Sequence, residues 1–209
     1  MKPLPLVVCI AALLLGGCAR IYVPPAIDLK PREVIGLIEF ASDTKGDLTG
    51  YVTQKFIESI TEDQQELRIV ELGDEATVLA AIGQTALGPD AYKAIAAKYN
   101  VNTVFIGDLK VSDVKPSFNI GPGFSFASIE AKVNASLVAK LVETATGVTL
   151  WSNSGKAEHT VAGVSKAGSY FSFSAEDPEE AYGDLARGLC YKVTRDFRHT
   201  WKHKCWCQK

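Results

Sequence analysis

The sequence has little of what enzymes and nucleic-acid-binding proteins usually carry. Its 209 residues include three histidines, and no serine lies in a Gly-x-Ser-x-Gly elbow. The chain lacks a Gly-x-x-x-x-Gly-Lys phosphate loop and a dinucleotide-binding fingerprint after a strand. Its formal net charge of −2 gives no basic footprint for nucleic acid and no polybasic patch for anionic lipid headgroups. These absences argue against an enzyme and against a nucleic-acid partner.

The acidic residues do not change that interpretation. Glu39, Asp43 and Asp47 cluster near the end of the first predicted strand, at the edge where α/β folds often place their sites. We interpret them as acids of a solvated loop and as helix caps. The sequence therefore predicts no catalytic residue and no cofactor.

Long apolar runs are also scarce, except at the amino terminus. Lys2 gives a basic start, apolar residues dominate positions 4–15, and Gly16-Gly17-Cys18 follows. The run is shorter than the ~20 residues of a membrane-spanning helix, and its layout is that of a bacterial secretory signal. The Leu15-Gly16-Gly17-Cys18 ending resembles the lipobox of bacterial lipoproteins.

The lipobox resemblance implies that Cys18 is the lipid-attachment residue. In that family the cysteine thiol receives diacylglycerol, the signal peptide is cut just before it, and a further acyl chain such as palmitate modifies the new amino terminus. Ala19 follows the cysteine, which by resemblance to enterobacterial sorting indicates the outer membrane. We therefore expect an outer-membrane lipoprotein that faces the periplasm and contacts the membrane through its acyl chains.

Residues 19–32 hold three prolines and no periodic pattern, so we expect an extended tether behind the anchor. The expected organisation is a signal peptide (1–17), an anchor and tether (18–32), a periplasmic α/β domain (33–201) and a Cys/His tail (202–209).

The chain has five cysteines. Cys9 lies in the signal peptide and Cys18 is assigned to lipid, which leaves Cys190, Cys205 and Cys207 in an oxidising compartment where disulfides persist. Because three is an odd number, at most one internal bridge forms. It would join Cys190 to Cys205 or to Cys207, or it would be a strained Cys205–Cys207 bridge.

The tail also offers metal-binding side chains. His199 and His203 would share one face if the last helix continued that far, and Cys205 and Cys207 would add thiolates suited to zinc or copper. The spacing does not match the paired cysteine and histidine arrangement of zinc modules. We therefore favour a structural staple over a metal site.

Alternating patterns predict a mixed fold. The predicted strands are short apolar runs at 34–40, 67–72 and 102–111. The predicted helices, which carry apolar faces, lie at 48–60, 77–82 and 89–99.

The clearest periodic signal is a long hairpin. Apolar and polar side chains alternate over 129–142, which predicts a strand with one buried face, and a turn at 145–147 leads into a return strand at 148–154. Asp177-Pro178-Glu179-Glu180 then starts a final helix. Its apolar stripe recurs every fourth residue at Ala181, Leu185, Leu189, Val193 and Phe197. We predict an α/β (α+β) fold in which a single mixed β-sheet with a long antiparallel hairpin is covered by helices.

Three segments carry a family resemblance. Ala94–Asp108 (AIAAKYNVNTVFIGD), Leu141–Ser152 (LVETATGVTLWS) and the opening strand Val34–Phe40 are similar to the curli-secretion lipoprotein family. They also resemble the lipoprotein activators of penicillin-binding proteins and the amino-terminal domain of TolB. The resemblance implies a TolB-like α/β domain on an outer-membrane lipoprotein. Members of this group bind other envelope proteins or assemble into rings, and are not known chiefly as enzymes.

Two insertions interrupt the predicted sheet, near 111–128 and 155–175. We interpret both as long surface loops whose aromatic side chains contact a partner. In curli-type channels, two such hairpins per subunit enter the membrane, but the alternation in the first insertion is shorter than the ~9–11 residues of a crossing strand. The candidate partner-binding residues are Phe118, Phe124, Phe126, Tyr170, Phe171 and Phe173.

The sequence thus supports three hypotheses. The preferred one is a non-enzymatic, outer-membrane-anchored periplasmic lipoprotein that acts as a binding or assembly component of the cell envelope, with an envelope protein as partner. The second is a subunit of an oligomeric, curli-type secretion channel, in which the partner is another copy of the chain. The third is an extracytoplasmic metal-binding protein, and it depends on the tail alone.

Overall fold

A computed structural model of the chain describes residues 19–43, 48–64, 66–111, 115–120, 127–161, 164–167, 170–173 and 178–204. The helices are α1 (Leu48–Thr61), α2 (Glu75–Ile82), α3 (Pro89–Tyr99) and α4 (Pro178–Val193), with 3₁₀ turns at Lys30–Arg32 and Thr194–Phe197. The strands are β1 (Ala19–Val23), β2 (Val34–Ile38), β3 (Ala41–Ser42), β4 (Arg68–Gly73), β5 (Thr103–Val111), β6 (Lys115–Ile120), β7 (Ala127–Glu143), β8 (Thr149–Val161), β9 (Val164–Ala167), β10 (Tyr170–Phe173) and β11 (Thr200–Lys204).

Seven strands form one mixed sheet. β4, β2 and β5 are parallel, β3 pairs with β5 in the same sense, and β7 runs antiparallel to β5. β6 and β5 pair with the same edge of β7, β6 along its first part and β5 along its last part. β8 pairs with the opposite edge of β7. The predicted mixed α+β class is confirmed. The sheet is not single, because the two-stranded ribbons β1–β11 and β9–β10 lie outside it.

Helices cover both faces of the main sheet. On one face, Phe56 of α1 and Leu189 of α4 join a large apolar cluster. On the other face, Val78 of α2 and Ile95 of α3 form a smaller cluster. The odd-numbered side chains of β7 from 133 to 141 are all buried in the larger cluster, as the period-two pattern predicts. The long hairpin predicted from the sequence is therefore confirmed.

The expected surface loops contain strands instead. The first insertion (111–128) includes β6, and β8 continues to residue 161, well into the second insertion (155–175). Small residues explain why the sequence pattern missed the end of β8. A Cβ at Gly155 would lie 2.9 Å from Cγ2 of Val193 on α4, so this part of the strand packs closely under a helix without a bulky apolar side chain.

Residues 19–32 do not form the expected free tether. β1 pairs along its whole length with β11, from Ala19 opposite Lys204 to Val23 opposite Thr200. Leu29 is fully buried in the larger apolar cluster. The amino-terminal segment is therefore part of the folded domain.

Gln64 ties this segment to the carboxyl-terminal end of the domain. Its buried side chain accepts a hydrogen bond from Leu29 N (2.7 Å) and donates to Ile27 O (2.7 Å) and Phe197 O (3.0 Å). Ile27 N also donates to Asp196 O at 3.0 Å. One amide thus satisfies three backbone groups from two segments that are remote in sequence, and we call this arrangement the Gln64 clasp.

We expect Gln64→Ala to lower the free energy of unfolding by roughly 2–4 kcal/mol, because it leaves buried backbone groups without partners. Urea denaturation measures this change. Hydrogen exchange should show loss of protection in residues 19–32.

The matched control is Gln54→Ala, at an exposed glutamine of α1 whose side chain contacts Glu58 at 3.3 Å. Its effect should stay within about 0.5 kcal/mol. Equal effects of the two substitutions would contradict the role of the clasp.

Candidate functional surfaces

The carboxyl ends of β2 and β4 border a cavity of about 290 Å³. Glu39, Glu71 and Gln54 line it, together with Thr53. Thr53 is occupied structurally, because its Oγ1 accepts from Phe40 N (3.2 Å) and donates to Thr49 O (2.9 Å). No histidine, cysteine or lysine is among the described lining residues. The cavity therefore brings two carboxylates together without a nucleophile and base pair.

The acidic residues of the sequence prediction are separated in the structure. Glu39 lines the cavity just described, whereas Asp43 lines a different one beside Lys110 and Lys156. Asp47 lies outside the described residues. Glu71 takes the place next to Glu39, and sequence reasoning missed it because the pairing of β2 with β4 joins residues far apart in the chain.

The tail histidines do not share a helical face. α4 ends at Val193, and β11 contains His203 in an extended conformation. The Nδ1 atom of His199 lies 2.6 Å from Oδ1 of Asp63. Among the described residues, no group of three or more histidine, cysteine or acidic side chains is arranged to hold a metal ion. Cys205 and Cys207 lie outside those residues, as does Cys18.

Cys190 is fully buried beneath α1. Its Sγ donates to Val52 O at 3.5 Å. Burial, with a smaller contribution from the Glu58 carboxylate, raises the pKa of the Cys190 thiol from 9.0 to about 12. A disulfide from Cys190 to Cys205 or Cys207 stays a prediction, because the second half of either bridge is not described.

The raised pKa of Cys190 predicts a loss of stability in alkali. The folded state keeps the thiol proton more tightly than the unfolded state, so this stabilisation is present below pH 9 and is lost as the pH rises toward 12. Between about pH 7 and about pH 10, the free energy of unfolding of the reduced protein should fall by about 1 kcal/mol more than that of Cys190→Ala. Urea denaturation at both pH values measures the difference, and parallel pH profiles would refute it.

The aromatic candidates fall in two places. Phe118 lies in β6, opposite Ile129 of β7, whereas Tyr170, Phe171 and Phe173 all lie in β10. β10 pairs with β9 in its own small ribbon. Phe124 and Phe126 lie outside the described residues.

An extension of the sheet, which we call the arm, carries Phe118. Val111, at the end of β5, pairs with Ala135, and β7 continues past this point as residues 127–134. The arm consists of these residues with β6 and with residues 158–161 of β8. α1 begins beyond the carboxyl end of β2 and runs back along the sheet. Gln64, which follows α1, and the Gln64 clasp therefore lie at the end of the sheet opposite the arm. The clasp holds residues 27, 29 and 197 at that end of the domain.

β8 leaves a long strand edge open. Over its 13 residues it pairs with β7 alone within the described part of the chain. Two backbone groups on this edge are satisfied by side chains: Ser154 N donates to Asn153 Oδ1 (2.8 Å), and Lys156 O accepts from Lys192 Nζ (2.5 Å). Such an edge can accept a strand from a partner, and charged side chains commonly protect it from uncontrolled pairing.

No protein-family model matches the chain, and no curated protein matches it. Several solved structures resemble it in fold. Lipoprotein GNA1162 from Neisseria meningitidis has 15% identity over 61% of this chain and 83% of its own, with a TM-score of 0.41. The PelC dodecamer from Paraburkholderia phytofirmans has 13% identity over 86% of this chain and 98% of its own, with a TM-score of 0.41.

The LpoB C-terminal domain from Salmonella enterica has 13% identity over 73% of this chain and 93% of its own, with a TM-score of 0.40. The similar structures thus include a bacterial lipoprotein, which is the group suggested by the sequence. TM-scores below 0.5 describe a distant likeness and assign no function to this chain. Within the described residues, no helix is long and apolar enough to span a membrane.

Proposed function

We propose that this protein is a lipid-anchored lipoprotein of the outer membrane whose periplasmic domain binds another envelope component without catalysing a reaction. The lipobox resemblance at Leu15-Gly16-Gly17-Cys18 supports the anchor. The described residues that line the cavity at the carboxyl ends of β2 and β4 supply carboxylate and amide oxygens and no cysteine, histidine or lysine, which favours binding over catalysis.

The arm is the structural feature that supports partner binding. β6 and β8 flank β7, and within the described residues each pairs with β7 alone. The arm is three-stranded at Ala131 and Lys132 and two-stranded elsewhere. Its outer edges can add a strand from a partner, and the main-chain hydrogen bonds would supply affinity. Phe118 on β6 and the aromatic residues of β10 would supply the apolar contacts at such an interface.

A secretion channel of the curli type is the alternative function, and it would require both insertions to cross the membrane as strands of ~9–11 residues. A second copy of the chain is one partner that open strand edges accept, so self-association is compatible with the proposed binding role.

The anchor is tested by Cys18→Ser. We expect this variant to lose the mass of the lipid and to leave the membrane fraction, because the thiol that carries diacylglycerol is gone. Mass spectrometry and membrane fractionation measure both effects. Cys190→Ala, at a buried thiol, serves as the control and should remain lipidated and membrane-bound. An unlipidated wild-type protein would contradict the proposal.

The binding surface is tested with a photoreactive amino acid at Phe118 or at Phe171 in intact cells. We expect defined adducts whose mass distinguishes a second copy of the chain from another envelope protein. The control position is Tyr191 on α4, which is exposed and lies near the opposite end of the domain. Identical adducts from all three positions, or none from positions 118 and 171, would contradict partner binding through the arm and β10.

A further inference from the structure

The ribbon β1–β11 joins the two ends of the described chain into one exposed surface. Its ladder places Tyr22 directly opposite Trp201 and Ile21 opposite Lys202. The ring centroids of Tyr22 and Trp201 lie 5.5 Å apart in an edge-to-face arrangement. The ribbon thus carries a defined aromatic pair that is outside the two apolar clusters of the domain.

These side chains are unusually accessible for their size. The exposed fractions are 53% for Tyr22, 55% for Trp201 and 43% for Ile21. An aromatic ring that is half in water loses much of the benefit of burial. Tyr and Trp with one apolar and one polar end are enriched at the boundary between membrane and water.

The ribbon is also a local cationic surface. Arg20 shares one face of the ladder with Tyr22 and Trp201, whereas Lys202 lies on the other face with Ile21. Both cations are exposed, and the ten ribbon residues include no aspartate or glutamate. The whole chain carries −2, so this end differs in sign from the protein as a whole. Local sequence does not reveal this cationic surface, because positions 20 and 202 come onto one ribbon only through the strand pairing.

The position of the ribbon identifies what covers it. Ala19, its first residue, directly follows Cys18, and consecutive Cα atoms are about 3.8 Å apart. Acyl chains on Cys18 would therefore hold the end of the ribbon at the headgroup layer. We propose that the β1–β11 ribbon is a membrane-docking surface, and this inference rests on the proposed lipid anchor. The face that carries Tyr22 and Trp201 inserts at the interface and places Arg20, on the same face, against anionic headgroups.

The ribbon is held to the domain body, so docking would orient the whole domain. The Gln64 clasp fixes the segment that follows β1, and the contact between His199 and Asp63 fixes the residue before β11. His199 also stacks on Tyr22, with ring centroids 5.5 Å apart. The domain would lie directly on the membrane with its arm pointing away from it.

Trp201 provides the readout. The lipidated full protein is reconstituted into vesicles of phosphatidylethanolamine and phosphatidylglycerol, with and without bromine on the acyl chains near the headgroups. Bromine quenches tryptophan fluorescence only at short range. Subtracting the signal of Trp201→Phe isolates Trp201 from the other two tryptophans of the chain. We expect the Trp201 signal to be roughly halved in brominated vesicles, as for an interfacial indole.

The control places a tryptophan at the other end of the domain. Lys110→Trp, in the Trp201→Phe background, puts an exposed indole near the carboxyl end of β5, roughly 20 Å along the sheet from its amino end. Subtracting the signal of Trp201→Phe isolates this indole, which should be unquenched. Quenching equal to that of Trp201 would overturn the proposed orientation.

The charge contribution is tested by Arg20→Gln and by vesicles of phosphatidylcholine alone. Both changes should weaken the quenching of Trp201, because both remove the attraction between cations and anionic lipid. Undiminished quenching in both cases would overturn the headgroup contact.

Failure of the ribbon and failure of the anchor give different results. A protein that is not lipidated at Cys18 removes the basis of both proposals. A lipidated, vesicle-bound protein whose Trp201 is unquenched overturns the docking surface alone. A cross-link from position 201 to protein in place of lipid would likewise overturn it and assign the ribbon to a protein contact.

Discussion

The Gln64 clasp is the constraint on which the arrangement of the first and last described segments depends. A single buried amide satisfies Leu29 N, Ile27 O and Phe197 O, and so fixes an amino-terminal segment against the residues that follow α4. Burying the Gln64 amide without these partners would carry a desolvation cost that no hydrogen bond offsets. Because this segment is fixed, β1 and β11 can meet as a ribbon.

A second set of polar contacts supports the same end of the domain from the sheet. Trp151 Nε1 on β8 donates to Asp196 Oδ2 at 3.1 Å, and Asn153 Nδ2 donates to Val193 O at 3.0 Å. These contacts hold the 3₁₀ turn against β8 while Phe197 stays buried. The long hairpin thus carries the open arm at one end and supports the terminal ribbon at the other.

The parts of this fold that follow from local patterns were predictable. The hairpin of β7 and β8 shows period-two alternation, and α3 occupies the predicted residues because Pro89 suits the first helical turn. Pairing between remote segments was not predictable. Residues 19–32 were expected to be a tether because their prolines and lack of period hide the buried Leu29, and the pairing of Tyr22 with Trp201 leaves no local signal.

The functional surfaces divide in the same way. Phe118 was predicted as a partner-binding residue because it is an aromatic residue in an insertion. Only the strand register shows that its segment extends the sheet beside β7. The role of Gln64 could not be predicted from the sequence, because a glutamine that follows a helix is usually exposed to solvent. The expected helical pair of His199 and His203 was wrong for a related reason: a change from helix to strand after residue 197 depends on β1, which is almost the whole chain away.

The length of β7 has a consequence for where a partner can be met. Seventeen residues at about 3.3 Å each make a strand of about 55 Å that runs from the end of the domain near the clasp into the arm. If the ribbon lies on the membrane, this strand sets the height at which the described part of the arm operates. A domain on a long flexible tether would sample many heights. A domain docked through the ribbon would instead present the described part of the arm to partners at a fixed distance from the bilayer surface.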